Sequence, residues 1–166
     1  MKNIEFLKIR RSVRLFSDKK ISSMDLAKLV DAARFAPTAR NVQPWEFVVV
    51  TDKQKLLALA NLAENGRFLA QAAACIVVFC VDTKYYLEDG CAATCNILLA
   101  ATALGIGSCW IAGDKKPYSV QVNALLQAKL NMKLVSLIAL GYPQEKCFFK
   151  PTAKRLLKEL LHWEEF

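Results

Sequence analysis

The sequence predicts a layered fold, α+β or α/β, in which helices cover a central sheet. Over its 166 residues, segments with helical spacing alternate with short, strongly apolar segments, a pattern typical of layered architectures. The apolar segments lack the polar alternation of a strand with one solvated face, so we expect the sheet to be covered on both faces. The length suits one domain, residues 1–166.

The first half of the chain opens with apolar residues at helical spacing in NIEFLKI, which predict a short helix running into a cluster of arginines. Ser22 and Asp25 have the spacing of a capping box, with Asp in place of the usual Glu. The segment MDLAKLVDAARFA is therefore predicted to be a helix that ends near Pro37. After the loop APTARNVQPW we expect a buried strand, a helix and a second buried strand: EFVVVTD, LLALANLAEN and CIVVFCVD.

The second half is predicted to begin with a long helix over about residues 90–104. Glu88 and Asp89 precede it, which suits the positive end of the helix dipole. GIGSCWIAG then reads as a glycine-rich turn into extended chain, residues 122–130 as a helix, and LVSLIALGYP as a third apolar strand. The tail KPTAKRLLKELLHWEEF is basic at its start and mixed in charge at its end.

Composition favours an oligomer. Hydrophobic residues make up 54% of the chain, against about 45–50% in soluble domains. A small globule leaves much of its surface exposed, so part of this apolar surface is expected to be covered by a partner subunit, although a tightly packed monomer is the alternative.

The six cysteines are interpreted as reduced thiols, buried as small hydrophobes in a cytoplasmic protein, because no secretory signal opens the chain. Cys91 and Cys95 would share a helix face and could suggest a metal pair. No CxxC motif occurs and His162 lies far away in the sequence, so we expect no metal site. The uncharged stretch from residue 90 to 113 contains polar residues and glycines, so it is interpreted as a core helix and loop rather than a membrane span.

Three polar clusters could carry function. They are the arginine cluster (Arg10, Arg11, Ser12 and Arg14), the amide-rich loop from Pro37 to Trp45, and a C-terminal basic cluster (Lys150, Lys154 and Arg155). Guanidinium groups suit phosphate, and Asn and Gln amides can read a planar polar heterocycle. Neither a catalytic triad, a dinucleotide fingerprint nor a Walker loop is recognisable. The clusters therefore favour a site in which a cofactor carries the chemistry.

The order of four motifs resembles that of the nitroreductase family of flavoproteins. The motifs are RRSVRLF, APTARNVQPWEFVVV, EDGCAATCNILLAATALGIGSCWIAG, and ALGYPQE followed by AKRLLKELL. The resemblance runs over almost the whole chain. It implies an α+β fold with a mixed central sheet flanked by helices, and an intertwined homodimer with two FMN sites built from both subunits. It also implies hydride transfer from NADH or NADPH, in a ping-pong cycle, to nitroaromatic, quinone or related acceptors.

By this resemblance the arginine cluster binds the cofactor. Arg10, Ser12 and Arg14 would hold the FMN phosphate, ribityl chain and pyrimidine edge, and Arg11 would add a side-chain or backbone contact. The flavin gains negative charge near N1 on reduction, and a nearby cation stabilises that charge. Arg14 is our candidate for this role.

The resemblance also assigns the other cofactor contacts. Three residues of the amide-rich loop would approach the flavin from the other subunit: Pro37, Thr38 and Ala39. Asn41 would face the isoalloxazine ring with Gln43 behind it, while Trp45 would pack beneath the loop. The segment along the flavin would be Cys109, Trp110, Ile111, Ala112 and Gly113. One residue of the basic pair, either Lys154 or Arg155, would contact the phosphate.

Two other hypotheses remain. A flavin-binding sensor or storage protein without general reductase activity would share every motif. A nucleic-acid-binding module would account for the net charge of +8, but the basic residues cluster at the two ends of the chain rather than in one stripe with exposed aromatics. We therefore expect a small-molecule acceptor as the partner, and neither nucleic acid nor a membrane.

Overall fold

The computed structural model describes residues 6–144 and 153–166, which form five α-helices and four strands. The helices are α1 (Phe6–Ile9), α2 (Ser23–Ala33), α3 (Lys53–Leu62), α4 (Tyr86–Ala103) and α5 (Ser119–Leu125). The strands are β1 (Trp45–Val50), β2 (Ala74–Val81), β3 (Gly107–Ala112) and β4 (Met132–Gly141). Short 3₁₀ helices occupy Ala39–Asn41, Glu64–Gln71 and Leu157–Glu159. The α+β class is confirmed.

The four strands form one sheet in the order β1-β2-β4-β3, and each neighbouring pair is antiparallel. A parallel pairing is added by an isolated bridge between Ser12 and Ser108. This bridge lays the N-terminal segment against the outer edge of β3. The arginine cluster is therefore fixed to the end of the sheet at which β3 begins.

Helices cover both faces of the sheet, as the uninterrupted apolar strands predict. Phe79 and Leu137 belong to a core cluster formed with α3, the 64–71 segment and α5. Ile76 and Ile138 belong to a second cluster on the opposite face, formed with α2 and α4. Side chains alternate between the faces along each strand, so a strand that is buried on both sides needs apolar residues at every position.

A β-bulge shapes the sheet next to the end of β3. Val78 pairs with Ser136 and Phe79 with Leu134, which leaves Val135 as the extra residue of β4. Its carbonyl accepts a hydrogen bond from the Gly113 N–H at 3.0 Å. The bulge therefore ties down the chain where it leaves β3.

Several element boundaries differ from the sequence predictions. The Ser22 hydroxyl caps α2 as predicted, accepting from the Asp25 N–H at 3.0 Å, but the helix ends at Ala33, ahead of Pro37. Helix α4 begins at Tyr86, so the two acidic residues lie inside its first turn. Helix α5 covers 119–125 instead of 122–130 and is followed by Gln127 at φ 54°.

The glycine-rich segment GIGSCWIAG is a turn into extended chain, as predicted: Gly105 has φ 69°, and residues Gly107–Ala112 form the regular strand β3. Its glycine at the start of the strand is required by packing, since a Cβ on Gly107 would lie 2.9 Å from Val13 Cγ2 and 3.0 Å from the Gly141 carbonyl oxygen. The glycine thus permits close approach of neighbouring backbone and does not mark a turn.

The prediction that the cysteines are buried is wrong for part of the set. Cys75, Cys80 and Cys109 are buried, Cys91 is half-buried and Cys95 is exposed on α4; Cys147 lies outside the described residues. Burial raises the pKa of Cys75 and of Cys80 to about 12, so these two thiols stay protonated. Across residues 6–144 and 153–166, no helix is long and apolar enough to cross a membrane. The same residues contain no group of three or more metal-ligating side chains.

Candidate functional site

A cleft of about 520 Å³ lies along the outer edge of β3. Arg14 lines it from the N-terminal segment and Cys109, Trp110, Ile111 and Ala112 line it from the strand. Its other walls come from the end of α3, the 64–71 segment and the loop after β3: Asn61, Leu62, Glu64, Asn65, Phe68, Lys116, Pro117, Tyr118 and Gln121. The cleft thus joins two of the segments that the sequence analysis assigned to one site.

Arg14 reaches the cleft because the residues before it are fixed to β3. The Val13 N–H donates to the Ser108 carbonyl at 2.9 Å, and the Val13 side chain is buried. Arg14 is the next residue, and its guanidinium lies 5.8 Å from the centre of the Phe68 ring, within cation–π range. The cation is thereby held on the cleft wall formed by the 64–71 segment.

The surroundings of the Cys109 thiol show which of the predicted cofactor-binding residues lie close together at this end of β3. Burial raises its pKa, and this is opposed by the positive charge of Arg14, a hydrogen bond from Ser12 and the charge of Arg10. Arg10, Ser12 and Arg14 therefore all lie close to one buried sulfur. The net direction is upward, so the thiol remains neutral and is not an activated nucleophile.

Arg11 is placed differently from its neighbours. Its guanidinium donates to the Lys8 carbonyl at 2.6 Å and to the Arg10 carbonyl at 2.9 Å. Carbonyls at the end of a helix lack partners within the helix, so Arg11 caps α1. It does not line the cleft.

The backbone of β3 presents hydrogen-bonding groups to the cleft. The Ser108 carbonyl points to the outer edge, where it meets Val13. Because alternate residues of a strand direct their backbone groups to the same edge, those of Trp110 and Ala112 also face outward. The Ala112 carbonyl accepts from the Tyr118 hydroxyl. The Gly113 N–H instead donates to the Val135 carbonyl of β4, so it faces the neighbouring strand and not the cleft.

The amide-rich loop is held by a residue that the sequence analysis did not assign to the site. Asp89, in the first turn of α4, is only 5% exposed. Its carboxylate accepts from the Thr38 hydroxyl at 2.8 Å and from the Ala39 N–H at 3.1 Å. The sequence signal was an acidic residue at a helix start, which we explained by the helix dipole alone. Its partners lie about fifty residues away in sequence, and no local pattern shows them.

The loop carries unusual backbone conformations. Arg40, Asn41 and Gln43 have φ values of 53°, 56° and 51°. Positive φ costs non-glycine residues of order 1–3 kcal/mol each, less for Asn, which is enriched there. Contacts outside the loop must hold this shape. Besides Asp89, the Pro44 carbonyl accepts from the Val81 N–H at 2.8 Å, and Trp45 is buried beneath the loop, as predicted.

Among the described residues, none from the amide-rich loop or the C-terminal basic cluster lines the β3 cleft of the same chain. Ala39 and Arg40 line a separate hollow of about 190 Å³, together with Asp89 and residues 83–85. Pro37 and Asn41 are exposed and do not line the β3 cleft. Lys154 and Arg155 lie in the exposed segment 153–166, where the Arg155 Nε lies 3.7 Å from a Glu159 carboxylate oxygen. Lys150, the third basic residue of that cluster, lies outside the described residues.

A sheet edge with a cation and outward-facing backbone groups beside a cleft is suited to a small ligand with anionic and polar ring groups. Comparison with known proteins specifies the family of the chain. Residues 7–80 match the model described as "Nitroreductase family" and residues 60–166 match that described as "Putative TM nitroreductase". An Archaeoglobus fulgidus protein named "Putative NADH dehydrogenase/NAD(P)H nitroreductase" is 36% identical, over 98% of each chain. The chain belongs to the nitroreductase family.

Solved structures agree with this assignment. An FMN-dependent nitroreductase from Clostridium difficile R20291 has a TM-score of 0.91 at 31% identity, covering 99% of this chain and 100% of its own. A nitroreductase with bound FMN from Bacteroides fragilis NCTC 9343 has a TM-score of 0.79 at 27% identity, with 92% and 94% of the two chains covered. The likeness therefore extends over almost the whole of each protein.

The packing at Gly107 gives a testable prediction. Gly107→Ala should destabilise the protein by about 1–3 kcal/mol, because the new methyl group overlaps Val13 and the Gly141 carbonyl. Val13→Ala removes part of that overlap, so the free energies of unfolding of the two variants should be less than additive in the double variant. Urea unfolding of all the variants measures this.

The control is Val122→Ala, which is buried in the same core cluster. Its effect on the free energy of unfolding should add to that of Gly107→Ala. Additivity for both pairs of substitutions would contradict the predicted contact.

Proposed function

We propose that the protein is an FMN-dependent NAD(P)H oxidoreductase that acts on nitroaromatic, quinone or related acceptors in a ping-pong cycle, as a single domain over residues 1–166. The observation that carries the proposal is the joint lining of one cleft by Arg14 and the outer edge of β3. A cytoplasmic location remains part of the proposal.

The donors at this cleft fit FMN. A flavin offers ring nitrogens and carbonyl oxygens as acceptors, and the Trp110 and Ala112 backbone edge and the amides of Asn61 and Asn65 lie where such acceptors can be met. The phosphate is a dianion that suits the guanidinium groups of Arg10 and Arg14 and the hydroxyl group of Ser12. Bound there, FMN would supply the chemistry of hydride transfer between NADH or NADPH and the acceptor.

The side chains at the cleft are suited to binding and electrostatics. Arg14, held near Phe68, would stabilise negative charge on a reduced ring beside it. Among the described residues no histidine lines the cleft; His162 instead contacts Phe166 in the exposed tail, with ring centres 4.5 Å apart. Hydride transfer needs no side-chain acid or base, so this arrangement is adequate.

The proposal includes a homodimer in which each FMN meets both subunits. Supporting it, the C-terminal segment exposes large apolar side chains, including Leu157 at 71% and Trp163 at 77%. A run of such side chains on a surface marks an interaction site. A second copy could supply the amide-rich loop (Pro37, Thr38, Ala39, Asn41 and Gln43) to the β3 cleft, and its tail could bring Lys154 and Arg155 to the phosphate.

An anaerobic titration tests the proposed function. The purified protein, reconstituted with FMN if necessary, should show flavin absorbance that bleaches on addition of NADH or NADPH and returns when a nitroaromatic or quinone acceptor is added. Bound flavin that neither nucleotide bleaches would favour the sensor or storage hypothesis. Protein that stays colourless after FMN addition would overturn the proposal.

Arg14 and Arg11 form a matched pair of arginines. Arg14→Ala should raise the dissociation constant for FMN by about tenfold or more, since a charge-assisted interaction contributes roughly 1.5–3 kcal/mol. It should also make the flavin harder to reduce, because the cation that stabilises the reduced ring is gone. Arg11→Ala should leave both quantities within about twofold of the wild type. Flavin fluorescence titration and an equilibrium redox titration measure the two effects, and equal effects of the two substitutions would contradict the assignment.

The exposed tail predicts how the dimer can be broken. Replacing Leu157 and Trp163 with Asp should give a species that sediments as a monomer at concentrations at which the wild type is a dimer, because charges at an apolar interface are costly to bury. Lys158→Asp, in the same exposed segment, is the control and should remain dimeric. Sedimentation velocity distinguishes these outcomes. If the variant with Asp in place of both Leu157 and Trp163 remains a dimer, the interface lies elsewhere.

A further inference from the structure

We propose that Asp89 is a positioning residue: its carboxylate holds the amide-rich loop in the shape in which Asn41 meets the flavin of the partner subunit. The inference rests on the proposed function, because it requires FMN binding by a dimer. It adds Asp89 to the residues that support the cofactor site, and it states that Asp89 of one subunit acts on the cofactor site of the other subunit.

The first step is the hydrogen-bond network. The Thr38 hydroxyl donates to Asp89 at 2.8 Å, and the same oxygen accepts from the Gln43 N–H at 3.1 Å. The Asp89 carboxylate has acceptor oxygens and no donor, so it fixes the direction of the Thr38 proton and leaves the oxygen lone pair directed at Gln43. Asp89 thus holds the start of the loop directly, through Thr38 and the Ala39 N–H, and holds its far end indirectly, through the hydrogen bond from the Gln43 N–H to Thr38.

The second step is the conformation that this network maintains. The left-handed residues Arg40 and Asn41 lie between the two ends of the loop, and Gln43, which is also left-handed, forms the far end. The Gln43 side-chain amide donates to the Asn41 side-chain oxygen at 3.1 Å, so the Asn41 side chain is oriented by the folded loop. Without the carboxylate, the strained backbone can relax and the Asn41 amide loses its orientation.

The third step is the direction in which the loop acts. Asp89 and Ala39 line the separate hollow on their own subunit, while Asn41 and Gln43 are exposed. The β3 cleft of the same chain is lined by none of them. A loop whose shape is held this firmly, with its amides directed outward, is suited to a ligand held by another copy of the chain.

Substitutions along the network should affect FMN affinity in a defined order. In Asp89→Asn the side-chain oxygen can still accept from the Ala39 N–H. The new amide N–H, however, meets the Thr38 oxygen and competes for it with the Gln43 N–H. The FMN dissociation constant should therefore rise about tenfold or more. Thr38→Val should do the same. Thr38→Ser keeps the hydroxyl and should stay within about twofold of the wild type. The matched control is Glu88→Gln, the exposed acid next to Asp89, which should also stay within about twofold.

A heterodimer separates action on the partner from a general loss of structure. Chains carrying Arg14→Ala and chains carrying Asp89→Asn, with different affinity tags, are coexpressed and the mixed dimer is purified. If Asp89 serves the partner, one site of the mixed dimer combines both substitutions and the other site contains neither. The mixed dimer should then bind one FMN per dimer with wild-type affinity, although both parent homodimers bind weakly.

Each outcome of this experiment decides the inference. Two weakened sites and no site of wild-type affinity in the mixed dimer would overturn it, because Asp89 would then act within its own subunit or through general stability. Asp89→Asn and Thr38→Val homodimers that bind FMN like the wild type would also overturn it. Failure of the proposed function is distinguishable, since in that case the wild type itself would bind no FMN or form no dimer.

Discussion

The open outer edge of β3 is the constraint on which the site depends. β3 is the edge strand of the sheet and pairs on one side with β4; on the other side the N-terminal segment bridges it at Ser108. Beyond that bridge, the outward backbone groups of Trp110 and Ala112 border the cleft instead of another described strand. The Tyr118 hydroxyl donates to the Ala112 carbonyl. Edge strands tend to be covered, and a planar ligand with polar ring atoms can cover the rest of this edge.

The first turn of α4 connects the two separated parts of the site. Asp89 accepts from the loop at Thr38 and Ala39. One turn earlier, the Tyr86 hydroxyl donates to Asp114 at 2.6 Å, and this hydrogen bond raises the Tyr86 pKa to about 12. Asp114 lies two residues after the end of β3, so a single helical turn fixes both the amide-rich loop and the chain that leaves the cleft strand. Gly90 lets this turn pack closely, because a Cβ there would lie 2.7 Å from Val135 Cγ2.

The sequence predicted much of the fold because the relevant signals are local. The apolar strands are covered on both faces and Ser22 caps α2. The missed features depend on distant partners. Residues 107–112 were predicted to be extended, but their pairing with β4, which makes β3 an edge strand, involves residues 136–141. The exposure of Cys95 depends on which face of α4 meets the sheet, and the role of Asp89 depends on a loop about fifty residues earlier. Family resemblance placed Arg14 and residues 109–112 in one site, and periodicity alone did not.

The central claim is that one cofactor site combines the β3 edge of one subunit with the amide-rich loop of the other. A crystal structure of the protein with FMN bound measures this most directly. The account predicts an isoalloxazine ring within hydrogen-bonding distance of the Trp110–Ala112 backbone of one chain and of Asn41 of a second chain, with Arg14 beside the pyrimidine edge. A flavin whose ring contacts a single chain, or one bound away from β3, would contradict it.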